Sequence, residues 1–332
     1  MQKARIAVVG AGQFGRKHIA TIRGEPECEL AAIADPVYAG DEDVPCFALY
    51  AEMLDQVRPD GVVIATPNAL HAPVGLACVE RRIPMLVEKP IADTVAASRE
   101  LVDAAERAGV PLLVGHHRRH NPRIEKAREI VQGGGIGRLV AVVALWLVKK
   151  PAAYFDVAWR REPGGGPLLI NAIHDIDDLR FICGEIGDVR AIVANGARRF
   201  PVEDSAAVAF RFANGAIGTA TISDAVPAPW SWELASGENP AYPPQSENCY
   251  FFTGTLGSLA LPRMELWRYR EGGAWHDPLS REILEVEDRD PQVEQLRHFV
   301  RVVRGQEAPR IDGADALRTL AVVEAIREAA GG

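Results

Sequence analysis

Two ionisable groups in this chain stand where they could hold an oxygen or move a proton. Glu88-Lys89-Pro90 closes the apolar run Pro84–Val87, so Lys89 leaves a buried strand at its carboxyl end. A lysine placed there is partly desolvated and can donate to a hydroxyl or carbonyl oxygen. A solvated loop charge is the plainer alternative for an isolated lysine. The proline that follows fixes the local backbone, and a cis Lys89–Pro90 bond would aim the side chain. His174 is the second group. On a 3.6-residue wheel it shares an arc of about 100° with Asn171, Asp175 and Asp178, while Ile170, Ile173, Ile176 and Cys183 turn toward a core. Alone, that stripe reads as a solvated helix face. Gly164-Gly165-Gly166 just upstream lets backbone approach something closely, and this favours function. Histidine suits proton transfer because its unperturbed pKa, about 6.5, lies near working pH.

The opening of the chain supplies what such a pair would work with. Ala4–Val9 is an apolar strand, Gly10-Ala11-Gly12-Gln13-Phe14-Gly15 follows at once, and Gln13–Arg23 has a helical pattern. Strand, G-x-G-x-x-G and helix in that order begin a dinucleotide-binding unit. Gly10 turns the chain off the strand, Gly12 clears space for a pyrophosphate, and Gly15 lets the helix lie close to the sheet. The helix N-terminus, at Gln13 and Phe14, offers unpaired N–H groups to phosphate. A second run, Leu30–Ala34, ends in Asp35, placed to accept from a ribose 2′-OH. Asp35 would repel a 2′-phosphate, and Pro36-Val37-Tyr38 brings no arginine to offset it, so NAD is expected over NADP.

These residues need a scaffold, and the first third of the chain reads as one. Helix Tyr50–Val57, strand Gly61–Ala65, helix Ala69–Arg81, strand Pro84–Val87, helix Thr94–Ala108 and strand Val110–Val114 alternate as in a parallel sheet with right-handed crossovers. Only the short polar piece Pro36–Pro45 breaks the rhythm. Ligands bind such sheets at the strands' carboxyl ends. Gly10–Gly15, Asp35, Thr66–His71, Glu88-Lys89-Pro90 and His116–Asn121 all fall on that rim. From about Pro122 the pattern changes. A helix, Arg123–Gln132, gives way to β-rich segments at Arg138–Val148, Val189–Asn195, Ala206–Phe212, Ala216–Ser223, Asn248–Thr253, Ser258–Leu261 and Glu265–Arg270. One helix, roughly Leu169–Cys183, interrupts them, and two helices, Pro291–Arg304 and Gly313–Ala330, close the chain. The expected fold is an α/β Rossmann domain with a parallel sheet (1–121) and an α+β domain with an open, mostly antiparallel sheet (122–332), the last helix free to pack back on the first domain.

Bulk properties narrow the partners. The chain has 332 residues and a net charge of −8, with no basic stripe to suit nucleic acid or a membrane surface. The longest apolar run, Leu139–Val148, is half the length of a membrane helix. Cys28, Cys46, Cys78, Cys183 and Cys249 are scattered, as reduced core thiols of a cytoplasmic protein would be, and Met1-Gln2-Lys3 leads straight into the first strand without a signal sequence. His116, His117, Arg118, Arg119 and His120 tempt a metal reading. Adjacent histidines in a strand point to opposite faces, and no acidic or thiol ligand stands at a binding spacing, so no metal is expected. His117 is assigned to the nicotinamide amide and Arg118 to substrate. Arg160, just ahead of the glycine triplet, is a substrate candidate, with Arg161 its competitor. His18, His276 and His298 are taken as surface or packing residues. Trp230, Trp232, Tyr242 and Tyr250 cluster around the loop Asp224–Glu247, as a lid over a sugar-like ring, with Trp232 on substrate, or as an oligomer interface.

The glycine motif, Glu88-Lys89-Pro90, the run Gly115–Pro122, and Gly164-Gly165-Gly166 leading to His174 resemble the glucose–fructose oxidoreductase / inositol dehydrogenase / rhizopine-catabolism family over nearly the whole chain. The resemblance implies a nicotinamide-dependent oxidoreductase acting on sugars, cyclitols and their derivatives, assembled as a homodimer or homotetramer through the C-terminal sheet. It implies that Lys89 is catalytic with its proline peptide often cis, that His174 is the general acid/base, and that Thr66-Pro67-Asn68 runs along the cofactor with His71 and Glu88 beside it. One departure stands out. Where many members have aspartate four residues before the histidine, this chain has Ile170, and the polar residue is Asn171. Lys89, Arg118, Arg160, Asn171, His174 and Trp232 form the expected substrate set. A lysine and an imidazole from separate halves of the molecule must then meet over one nicotinamide ring. Alternatives are a cofactor-binding regulator without catalysis, or action on an imine, hemiacetal or glycoside.

Overall fold

The computed structural model describes residues 2–38, 40, 43–270 and 273–331. Contacts divide the chain into two units: residues 1–120 with 290–321, and residues 121–289 with 322–332. The first boundary lies one residue before the expected one. Residues 290–321, read from sequence with the second domain, instead return to the first. Their helix α8 (Pro291–Val303) lays Phe299 and Val303 over Gly61, where a Cβ would come within 2.7 Å of Val303 Cγ2. Glycine there lets an apolar helix face seal the sheet.

The first unit is a doubly wound parallel sheet. Its strands are β1 (Ala4–Val9), β2 (Cys28–Ala34), β3 (Cys46–Phe47), β4 (Gly61–Ile64), β5 (Met85–Val87) and β6 (Leu112–Val114), in the order β3-β2-β1-β4-β5-β6. The order reverses between β1 and β4, which opens a crevice at their carboxyl ends. Helices α1 (Gln13–Gly24), α2 (Tyr50–Val57), α3 (His71–Glu80) and α4 (Val95–Ala108) make the crossovers. Ile6, Ala7, Val8, Val62, Val63, Ile64, Leu86 and Val87 are fully or almost fully buried, as parallel strands covered on both faces require. Of the polar piece Pro36–Pro45, residues 39, 41 and 42 lie outside the described residues, and β3 directly after it was not anticipated.

Among its described residues the second unit has helix α5 (Pro122–Gln132), helix α6 (Ile173–Cys183), the short α7 (Trp232–Ala235) and eight strands: β7 (Leu139–Leu147), β8 (Ile186–Ala194), β9 (Ser205–Phe212), β10 (Ile217–Ser223), β11 (Tyr250–Gly254), β12 (Ser258–Leu261), β13 (Glu265–Tyr269) and β14 (Leu279–Ile283). They run β14-β13-β12-β11-β7-β10-β9-β8, antiparallel throughout except β7 beside β10. Asn214-Gly215 makes the β9–β10 hairpin, with Gly215 at φ 88°. The polar segment β14 escaped the sequence reading. Burial alternates along β9 and β10, so one sheet face packs inward and the other is open. The last helix, α9 (Gly313–Ala329), spans the point where the chain passes from the first unit to the second. Among the described residues no helix is long and apolar enough to cross a membrane.

Candidate active site

The rim of the first unit is built by its glycines. Gly10 sits at φ 92°, and a Cβ there would lie 2.6 Å from Ala65 O; a Cβ on Gly15 would lie 1.8 Å from Gly10 O. Both positions exclude any side chain. At Gly12 a Cβ would meet nothing, because the space above it is open. Gly12 is also the N-cap of α1 and offers no side-chain hydrogen bond, so the first helix amides face that space unpaired by any cap. Gln13 and Phe14 are exposed beside it. The Thr66 hydroxyl, at the end of β4, is buried without a hydrogen-bond partner. Open cradle, uncapped amides and an orphan hydroxyl fit a dinucleotide pyrophosphate and the groups beyond it.

Asp35 accepts from Ala11 N–H at 2.7 Å and from Val37 N–H at 2.9 Å, so its carboxylate ties the glycine loop to the loop after β2. Two acceptor positions remain for a ribose. Along the sequence, Pro36-Val37-Tyr38 carries no arginine. Folding brings one: Arg16 on α1 donates to Ala11 O at 3.0 Å and lies 6.0 Å from the Tyr38 ring.

Lys89 is anchored on both sides. The Lys89–Pro90 peptide is cis. His71, buried, reaches Pro90 O with Nδ1 at 2.8 Å and Thr66 O with Nε2 at 2.9 Å, joining the loops after β4 and β5. It is a brace between Thr66-Pro67-Asn68 and Lys89-Pro90. Burial pushes its imidazole pKa down, against the two carbonyls that favour the charged form. On the other side, His18 Nε2 meets Glu88 Oε1 at 2.7 Å. His18, a surface or packing residue by sequence alone, is instead the partner that holds the Glu88 carboxylate in place. Burial alone would raise that carboxyl, but the His18 hydrogen bond, with the charges of His18, Lys89 and His117, brings it down to about 2. The stabilisation this implies is present above the ordinary glutamate pKa of 4.5 and is lost as pH falls toward 2. His18→Ala takes the closest partner from a buried carboxylate, leaving it the Lys89 N–H at 3.3 Å, and is expected to cost about 1–3 kcal/mol at neutral pH. The check is a lower urea midpoint at unchanged slope, with the gap to wild type closing in acid.

The basic run after β6 does not present five cations. Arg118, Arg119, His116 and His120 are buried, and only His117 keeps partial exposure. Arg119 pairs with Asp315, and His120 packs on His298, its pKa held well below the usual value by burial and by Arg310. Arg118, at 3% exposure, is not the open substrate arginine expected of it.

In the second unit, His174 is the second residue of α6, whose eleven residues are all buried. The solvated-stripe alternative therefore fails: Asp175, Asp177 and Asp178 are 3%, 1% and 0% exposed. Tyr250 gives its hydroxyl to Asp175 and, at 3.3 Å, to Asp178. Trp232 stacks on Tyr250 at 5.7 Å and donates its indole N–H to Glu238 at 2.9 Å. Trp232 and Tyr250, both buried, are thus packing residues beneath α6, and the assignment of Trp232 to substrate is corrected. Trp230 and Tyr242 remain half-exposed.

The glycine triplet has identifiable neighbours. A Cβ on Gly165 would fall 2.3 Å from Trp159 O, and one on Gly166 would fall 2.1 Å from Glu203 Oε1. Glu203 accepts from Leu168 N–H at 3.2 Å, so a carboxylate the sequence reading missed caps the entry to the helix. That entry, Leu168–Ala172, is a single π turn. Asn171 lies in it, partly exposed, and accepts from Lys150 Nζ at 2.8 Å. Arg160 stacks on Tyr154 at 4.1 Å and donates to its carbonyl. Among the described residues no group of three or more His, Cys, Asp or Glu could hold a metal ion.

Residues 4–116 match an oxidoreductase family with an NAD-binding Rossmann fold, and residues 124–260 match the GFO/IDH/MocA C-terminal domain. The rhizopine catabolism protein MocA of Rhizobium meliloti is 31% identical over 191 residues, 56% of this chain and 59% of that protein. An inositol 2-dehydrogenase of Rubrobacter xylanophilus is 32% identical over 236 residues, 66% of this chain and 64% of that enzyme. The chain thus spans less than two thirds of either relative's length. The crystal structure of the WlbA dehydrogenase from Bordetella pertussis, in complex with NADH and UDP-GlcNAcA, is similar with a TM-score of 0.80 and 25% identity, over 99% of this chain and 97% of that one. With the doubly wound sheet and the second, mostly antiparallel one, these matches establish that the chain belongs to the GFO/IDH/MocA oxidoreductase family.

Proposed function

We propose that this protein is an NAD-dependent dehydrogenase oxidising a secondary alcohol of a sugar, cyclitol or related polyhydroxy acid. The observation that carries it is the rim of the first unit, where an open glycine cradle, Asp35 and a braced Lys89 stand at the carboxyl ends of β1, β2 and β5 in one parallel sheet. Gly10, Gly12, Gln13, Phe14 and Gly15 would hold the pyrophosphate; Asp35 would hold a ribose, with Thr66, Pro67, Asn68, Glu88 and His117 along the rest. Bound NAD supplies the hydride acceptor. Lys89 donates to the carbinol oxygen and stabilises the negative charge that develops there. His174 accepts the hydroxyl proton. Relatives named for inositol and rhizopine support the substrate class.

NAD is preferred over NADP because the Asp35 carboxylate would face a 2′-phosphate, while Arg16 already serves Ala11 O. The test is a panel of polyols, sugars and sugar acids assayed for NADH formation. At least one is expected to react, with kcat/KM for NAD about tenfold or more above that for NADP. NADP equal to NAD would overturn the cofactor preference. Tight NADH binding without turnover of any alcohol, sugar or sugar acid would favour a regulator. The open sheet face, with Val143, Ile192 and Ile217 exposed, supports a homodimer or homotetramer. Five free cysteines suit the cytoplasm.

A further inference from the structure

Asn171 lies three residues before His174, and its surroundings fix which end of its amide is available. Lys150 has only donors, so the Asn171 oxygen must face it, as the 2.8 Å contact records. The amide nitrogen is therefore the end left for a ligand, and Asn171 is partly exposed. Lys150 itself is held 3.4 Å from Asp224 and 4.6 Å above the Tyr154 ring. Asp224 also accepts from Arg198 Nε at 2.7 Å, so that carboxylate is shared between two cations. Arg160 lies 4.1 Å from the same Tyr154 ring, spends Nη1 on the Tyr154 carbonyl, and keeps its Nε buried without a hydrogen-bond partner. Gly165 makes this possible, because any side chain there would displace the Trp159–Arg160 backbone.

Two cations over one tyrosine, and an amide held by one of them, thus offer donors: the Lys150 ammonium, the Arg160 guanidinium and the Asn171 amide nitrogen. A hydroxyl-rich neutral ring presents donors as well as acceptors, whereas the ends left available on these side chains are donors. Here the matching group must accept. Ammonium and guanidinium together favour an anionic oxygen over a neutral one.

We infer that Asn171, Lys150 and Arg160 form a carboxylate-recognition subsite, so that the substrate is a sugar acid such as an aldonate or uronate. This rests on the dehydrogenase reading and narrows its substrate class. Asn171 and Arg160 touch the carboxylate; Lys150 orients Asn171 and adds charge.

Matched pairs test it: D-gluconate against D-glucitol, and D-glucuronate against D-glucose, by NAD-dependent kcat/KM. The acid of a pair is expected to exceed its neutral partner by about tenfold or more. Asn171→Asp turns the free donor into an acceptor and should lower that ratio by about tenfold. Arg160→Gln should raise KM for the acid with kcat little changed, and Lys150→Met should do the same. Neutral partners equal to or better than their acids would overturn the inference and leave the dehydrogenase standing, as would variants that affect both members equally. If neither pair is oxidised, calorimetric titration of gluconate and glucuronate into the NADH-saturated protein decides separately. Saturable binding weakened by Arg160→Gln supports the subsite, and its absence overturns it.

Discussion

Lys89→Ala is expected to lower kcat/KM by roughly 10²–10³-fold, the loss that follows removal of one donor from a developing oxyanion. NAD affinity should stay within about threefold, since the phosphate cradle owes nothing to this side chain. The separation of the two effects follows from how the lysine is mounted. His18 holds Glu88 on one side, and His71 holds the Pro90 carbonyl on the other. Truncating the side chain between two fixed points removes an ammonium without releasing the loop. Lys89→Arg should rescue little, because a planar guanidinium on a longer stem cannot occupy the place of a compact ammonium. NADH fluorescence titration and steady-state kinetics on the same preparation make the check. A variant within tenfold of wild type, at equal cofactor affinity, would remove Lys89 from the mechanism.

The sequence showed most clearly the features that depend on a missing side chain or a short spacing. Gly10 and Gly15 were legible because backbone at φ 92° and a 1.8 Å approach leave only one residue type, and such restrictions are local. Asp35 was legible for the same reason, at the end of the next strand. The alternation of strands and helices through Val114 carried the doubly wound sheet with it. What escaped was set by distant partners. His18 lies 70 residues from Glu88, and no pattern in either stretch marks the pairing. The acids of α6 looked solvated because the wheel records spacing and says nothing of Tyr250, which arrives from β11 to meet them. Arg118 looked available because exposure is not written in composition. Strand β14 has no alternating apolar face to announce it, and it forms as an edge because β13 offers it a ladder. The π turn at Leu168–Ala172 inserts one residue into the helical count just where Asn171 departs from the family pattern.

That helix also carries the second large effect. His174→Gln keeps a polar side chain of similar reach but cannot take a proton, and kcat is expected to fall by roughly 10²–10⁴-fold. The fold should survive the change. Helix α6 is fixed by contacts that do not involve the imidazole: Glu203 at its entry, Tyr250 beneath Asp175 and Asp178, and the paired hydrogen bonds from Arg180 to Glu185 at 2.9 and 2.8 Å near its end. An intact melting transition beside lost turnover therefore separates chemistry from stability. The pH profile separates it further. A base that receives the hydroxyl proton must be neutral to act, so wild-type kcat/KM for alcohol oxidation falls as pH is lowered. His174→Gln should lose that acidic limb, whereas Lys89→Ala, slower by its own factor, should keep it. If His174→Gln retained the limb and lost less than tenfold in kcat, the proton would be leaving by another route, and the buried carboxylates Asp175 and Asp178 would be the next groups to replace.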